Sequence, residues 1–333
     1  MSTAPFFLVL VPIGLLAIAW SLCFVGCGFP TSGLPGTPYS DTIVKDPNLI
    51  AYWPLSDLIG TSAAPGTLNM EGQTAGTSDI SGNGHNGTYT IPFAYPSAGS
   101  ANAVQFTKPI AAPFLKRGTS IVPGDTGSIK NPLAASVDFE GGFVTIPWST
   151  QNSPKLTDFT LEAWINPDPN QSGFWRVLFG AVAPGDMTGF VVFIDDMNNW
   201  QFGVADGTAV QLVQTGQSAL NGGYVAVTFQ STSSTAGILS LWLNPDSDTS
   251  APPTPVWPPN PNQTTNYVAA DPSQLMAIFI GAGANEETLR TANGGAGAPQ
   301  FPFLGQIQSV ALYKTALDPT ELQSHFQAGG TTG

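Results

Sequence analysis

Beyond residue 47 the apolar residues of this chain fall in short runs separated by turn-forming clusters, and within several runs every second residue is apolar. A period of two confines the body of the chain to strands that each bury one face. Tyr224 to Phe229 (YVAVTF) and Leu239 to Leu243 (LSLWL), the latter within a strand from Ile238 to Leu243, show it most clearly. Further strands are predicted at Leu49 to Leu55, Phe143 to Ile146, Phe159 to Ile165, Val177 to Phe179, Phe190 to Ile194, Trp200 to Val204, Ala277 to Ile280 and Ile307 to Tyr313. The 37 glycines and 30 prolines supply the breaks between them. Two opposed apolar faces make a core, so the expected fold class is all-β, a two-sheet antiparallel sandwich. Two stretches interrupt the pattern and read as long surface loops, Tyr89 to Leu133, which contains Lys116 and Arg117, and Pro245 to Asn266.

One helix is legible in this part, from Asp318 to Phe326. Asp318 suits the N-cap, Pro319 the first turn, and Glu321 completes a capping box, with Leu317 and Leu322 as a hydrophobic staple and Gly329 or Gly330 as the stop.

The N-terminus follows a different rule. From Phe6 to Cys27 the chain runs FFLVLVPIGLLAIAWSLCFVGC without a charge, and roughly 20 apolar residues suffice to cross a bilayer. We expect one transmembrane helix at 1–28, gripping lipid through Phe6, Phe7, Leu8, Leu10, Ile13, Leu15, Leu16, Ile18, Trp20, Leu22 and Phe24. Two alternatives stay open: a cleaved signal segment, although MSTAP offers no basic residue, and a lipoprotein signal with the lipid on Cys27. Residues 29–46, rich in Pro, Gly and Ser, read as a tether, 47–329 as the sandwich domain and 330–333 as a tail. The first basic residue is Lys45, so charge beside the span does not orient it. The acidic bulk is expected on the extracytoplasmic side, periplasmic or extracellular, making the chain a single-pass membrane protein.

Charge excludes one class of partner. Lys and Arg number 9 against 22 Asp and Glu, a formal net charge of -13, and such a surface repels phosphate backbones, so nucleic acid is not expected. Both cysteines, Cys23 and Cys27, precede the domain, which therefore holds neither a disulfide nor a cysteine-bound metal.

Five segments, in order, resemble the laminin G-like (LamG) domain of the concanavalin A-like lectin/glucanase superfamily. They are Leu49 to Leu55 (LIAYWPL), the turn Asp79 to Thr88 (DISGNGHNGT), Ser136 to Gly141 followed by Phe159 to Ile165 (FTLEAWI), Tyr224 to Phe229, and Phe303 to Tyr313 leading into the terminal helix. The resemblance implies a jellyroll over residues 47–329, with ligands at loop ends or on the concave sheet. Two departures weaken an inherited calcium site: Leu243-Asn244-Pro245 stands where Asp-Gly is frequent, and Ile307-Gln308-Ser309-Val310 where Ile-Asp-Glu-Val is common.

Glucanases that share this architecture place two carboxylates on one strand, since glycoside hydrolysis needs an acid and a base or nucleophile. Glu162 stands alone on its strand, as an outward polar group or a hydrogen-bond partner, and His85 and His325 lack metal-ligand spacing. No catalytic residue and no organic cofactor are assigned. Calcium is the one candidate ion, with Asp79 and Asn83 as its candidate ligands and Asp195 with Asp196 as a second pair. The same turn is equally explained by left-handed Asn and Gly with Asp bonded to its own backbone. The expected function is a non-catalytic, membrane-anchored interaction module, an accessory or structural subunit of a larger membrane or cell-surface assembly. Its partners would be the lipid bilayer and other protein subunits. The alternative is a surface carbohydrate-binding lectin that holds glycan with or without calcium, through platforms such as Trp148, Trp175, Trp200 or Trp257.

Overall fold

The computed structural model describes residues 38–56, 76–90, 115–123, 135–148, 153–171, 175–183, 187–245, 252–275, 277–283 and 301–330. The strands among them are β1 (Leu49–Trp53), β2 (Gly76–Thr77), β3 (Gly87–Thr90), β4 (Leu115–Thr119), β5 (Ala135–Glu140), β6 (Phe143–Pro147), β7 (Phe159–Pro167) and β8 (Arg176–Ala183). There follow β9 (Thr188–Ile194), β10 (Asn199–Ala205), β11 (Val210–Ser218), β12 (Gly223–Ser231), β13 (Ala236–Leu243), β14 (Thr265–Asn266), β15 (Ala277–Ile280) and β16 (Leu304–Tyr313). Three helices accompany them: α1 (Pro38–Ile43), α2 (Pro272–Leu275) and α3 (Pro319–Gly330).

The strands form two sheets with antiparallel neighbours. The first runs β14-β13-β12-β7-β16-β5-β4, with β1 also paired to β16, and the second runs β11-β10-β9-β8-β15-β6-β3-β2. The all-β sandwich expected from the period of two is the observed architecture. Nine of the ten predicted strand segments fall within a strand, several of them longer than predicted, and the tenth, Leu49 to Leu55, overshoots β1, which ends at Trp53.

On β7 the alternation sends Phe159, Leu161, Ala163 and Ile165 into the space between the sheets, where they join the main core cluster. Phe159 stacks on Phe190 of the opposite sheet at 4.0 Å between centroids, with Phe229 at 5.9 Å on its own sheet. The other face of β7 carries Thr160, Glu162 and Trp164, and it is covered as well. Helices α1 and α3 lie over it, and Tyr39, Ile43, Trp164, Tyr224, Tyr313 and Leu322 belong to a second buried cluster.

β16 serves two neighbours on one side. Its first half pairs with β5 (Leu304↔Glu140 to Ile307↔Val137) and its second with β1 (Val310↔Trp53 to Tyr313↔Leu49). The register on β7 shifts between Gln308 and Ala311, and Ser309 takes φ 57° at the break. A bulge of this kind re-aims a strand, and here the Ser309 N–H reaches the Pro54 carbonyl at 3.1 Å. Gln308 and Ser309, the departures from the family pattern, are thus used internally: the Ile121 N–H donates to the Gln308 Oε1 at 2.7 Å, and the Tyr52 hydroxyl donates to the Ser309 hydroxyl.

α3 begins as its capping box predicts. The N–H groups of Thr320 and Glu321 donate to Asp318 Oδ1 at 2.8 and 2.9 Å, and the Asp318 N–H donates to the Glu321 carboxylate at 2.9 Å.

Several expectations differ from the structure. Residues 38–43, within the predicted tether, form α1, and Tyr39 and Ile43 are buried, because two apolar side chains one turn apart find a sheet face to cover. The interval 89–133 is not one loop, since it holds β4, and the interval 245–266 holds Trp257, buried against Phe202, and β14. β11 went unpredicted because it is largely exposed and its apolar residues do not keep a period of two. The proposed membrane segment, from Phe6 to Phe24 with Cys27, lies outside the described residues. Among the described residues no helix is long and apolar enough to cross a membrane.

Candidate functional site

Glu162 is the one acid on β7, and the sequence leaves it either outward-facing or hydrogen-bonded. The structure settles on the second. Glu162 has no exposed surface, because α1 and α3 close over its face of the sheet. Its carboxylate accepts from the hydroxyls of Tyr224 and Tyr313 on the flanking strands and from Nδ1 of His325 on α3 at 3.1 Å. Burial raises the Glu162 pKa, but the His325 charge and these donors outweigh it and hold the carboxyl below its ordinary range. Burial likewise lowers the His325 pKa, and Glu162 outweighs it, so the imidazole stays protonated to higher pH than usual. The result is a sealed ion pair with no room for substrate, fastening the terminal helix to the sheet. His325, read from the sequence as a surface or structural residue, takes the structural role.

The candidate calcium ligands sit in the glycine-rich turn between β2 and β3. Asp79 is buried, and its two oxygens accept three backbone N–H groups: Tyr52 at 3.0 Å and Ser81 at 2.9 Å on Oδ1, His85 at 3.0 Å on Oδ2. Asn83 donates its amide to the carbonyls of Leu49 and Ile50, at 3.1 and 2.9 Å. Both side chains therefore tie the turn to β1, while Gly82 and Gly84 take φ 89° and 84° to bend it. Trp53 Nε1 donates to the His85 carbonyl, and the His85 ring stacks on Trp148 at 4.7 Å. Replacing Asp79 with alanine strands three donors, one of them on β1, and should cost about 3 kcal/mol in urea unfolding. A loss under about 1 kcal/mol would show the turn to be held some other way. Asp195 is used similarly, its Oδ1 accepting the N–H groups of Met197 and Asn199. Among the described residues no group of three His, Cys, Asp or Glu is placed to hold a metal.

The aromatic platforms fare unevenly. Trp148, Trp200 and Trp257 are buried and so do not present a stacking face, whereas Trp175 is half-buried against Phe193 and Phe301.

One open feature was not visible in the sequence. The loop before β7, the β12–β13 hairpin and the segment after β14 enclose a cleft of about 200 Å³. Its polar lining is Lys155, Thr157, Ser231, Ser233 and Ser234, and its apolar lining includes Phe229 and Tyr267. The walls are pinned: the Tyr267 hydroxyl donates to the Leu156 carbonyl at 2.8 Å, and Asp158 accepts both the N–H and the hydroxyl of Ser231. Hydroxyls and one ammonium group beside apolar rings suit a small polar ligand that also has an apolar face. Arg176, also missed, is buried and donates to the Asp168 carbonyl and the Asn198 side chain, joining two loops.

These features stand on a known architecture. A profile described as the concanavalin A-like lectin/glucanases superfamily, Laminin_G_3, matches residues 140–323. The chain belongs to that superfamily. Among solved structures it resembles the binding domain of botulinum neurotoxin DC in complex with SialylT, at 10% identity and TM-score 0.39, covering 87% of this chain and 53% of that one. It also resembles the binding domain of Paraclostridial Mosquitocidal Protein 1, at 13% identity and TM-score 0.43, covering 86% of this chain and 53% of that one. The chain spans about half the length of these structures. No curated protein sequence matches it.

Proposed function

We propose that this chain is a non-catalytic interaction module, anchored in a membrane by residues 6–27, whose sandwich stands on the extracytoplasmic side and docks on other subunits of a membrane or cell-surface assembly. The observation that carries the non-catalytic part is the sealing of Glu162: the one carboxylate on β7 is consumed by two tyrosines and a histidine. The uncharged N-terminal run supports the anchor. The test is purification of the native protein with its neighbours and mass measurement of its N-terminus. A retained residue 6–27 segment and a stoichiometric partner are expected; isolated monomers with a start beyond residue 27 would end the proposal.

A second reading, a glycan-binding lectin, has the hydroxyl-lined cleft in its favour. A glycan array screened with and without calcium decides it, and an empty array in both conditions removes it.

A further inference from the structure

Among the described residues five strands have an edge that pairs with no strand: β14, β4 and β1 in the first sheet, β11 and β2 in the second, and the edge of β1 is taken by the turn that carries Asp79 and Asn83. β14 and β2 are two residues long, and β4 is five residues that include Lys116 and Arg117. Shortness and basic residues are devices by which sheet proteins keep an edge from pairing with another chain. β11 has neither, for its nine residues, VQLVQTGQS, contain no charge and no proline. It is also open on both faces: Thr215 is its one buried residue, Val213 leans on the core, and Leu212 is 48% exposed. A ladder to β10 with so little burial is weak support for a strand of this length.

We propose that β11 pairs antiparallel with β11 of a second copy of this chain, across a two-fold axis at Leu212, so that the second sheet continues from one copy into the other. This rests on the interaction-module reading and gives it a surface. The register follows from the strand itself. Gly216 takes φ 67° and the pairing with β10 shifts between Asn199 and Gln201, which confines the regular ladder to Val210–Gln214 opposite Ala205–Gln201. The midpoint of that stretch is Leu212. An axis perpendicular to the sheet reverses the strand while keeping each side chain on its own face. It sets Leu212 against its own copy, Gln211 against Val213 and Val210 against Gln214. No charge meets a like charge, which matters in a chain of net charge -13. The nearest acid, Asp206, precedes the strand and is occupied by Thr208, Ala209 and Gln211, and the axis sends the two Asp206 groups to opposite ends. An unrelated strand is the weaker occupant, since β11 offers no charge to select a foreign sequence, whereas its regular stretch complements itself.

The test uses the full-length protein with its native cysteines and the single change Leu212→Cys. Residues directly opposite in an antiparallel pair lie about 4.5–5.5 Å apart at Cα, within disulfide range. Mild oxidation should give several-fold more linked dimer than wild type or Ser234→Cys, a control on the exposed β12–β13 hairpin. Leu212→Lys, which would set two ammonium groups face to face, should lower the dimer fraction in sedimentation several-fold while leaving Tm unchanged at concentrations where wild type is monomeric. Linkage at Leu212→Cys no greater than in the control, linkage to a foreign protein, or unchanged sedimentation of Leu212→Lys would each overturn the pairing. Should the linkage fail while other subunits still co-purify with wild type, the edge contact is wrong and the interaction module stands.

Discussion

Replacing Glu162 with alanine is expected to lower the unfolding free energy by about 3–5 kcal/mol, the usual result of removing one partner from a buried ion pair. The change leaves the Tyr224 and Tyr313 hydroxyls and the His325 ring without their common acceptor under two helices. His325→Ala should cost a similar amount, because it strands the carboxylate. The double change Glu162→Leu with His325→Leu should recover part of the loss, since apolar replacement of a buried pair is often neutral or better. Urea titration followed by tryptophan fluorescence measures all three, and single variants within about 1 kcal/mol of wild type would remove the pair from the account of stability.

The pair also sets a pH dependence. Glu162 has a lowered pKa, so its contribution is complete above the ordinary carboxylate value of 4.5 and is lost as pH falls through the folded value. His325 has a raised pKa, so its contribution is complete below the ordinary imidazole value of 6.5 and is lost as pH rises through its folded value. The pair's stabilisation is therefore greatest between those ordinary values. In His325→Gln the alkaline decline should flatten; a decline of unchanged steepness would assign it to another group.

Phe159→Ala is the second large effect, about 3–5 kcal/mol. Phe159 is fully buried at the meeting of the sheets, stacked on Phe190 and Phe229 and edge-on to Tyr267 at 5.9 Å. Because Phe229 and Tyr267 also line the cleft, any ligand found there should bind Phe159→Ala more weakly even at temperatures where the variant stays folded. Thermal unfolding with and without ligand separates the two effects.

The sandwich was legible because its core strands announce themselves by alternation. Leu239-Ser240-Leu241-Trp242-Leu243 admits one buried face and no helix. β11 escaped for the converse reason, that Gln211, Leu212 and Gln214 are exposed and the run VQLVQ breaks the period of two, and a pattern of burial cannot report an exposed strand. Glu162 was left with two roles because a lone acid among alternating apolar residues marks a wet face in most sheets. The signal that distinguishes them lay elsewhere on that same face, where Trp164 follows on β7 and Tyr224, Tyr313 and Tyr52 stand on β12, β16 and β1. Aromatics in such number mark a covered surface. The cleft was not legible at all, since Lys155, Ser231 and Tyr267 come together only through the pairing of distant strands.

The bulge at Ser309 has a consequence in time as well as in space. The strand it divides is the centre of the first sheet, flanked by segments that begin at residues 49, 135 and 159, yet it ends only at Tyr313. β5 and β7 have nearer partners in β4 and β12, but loops of more than a hundred residues must close before β16 joins them to each other and to β1. The first sheet is therefore complete only once β16 is in place, and a pairing so distant in sequence makes that a slow step.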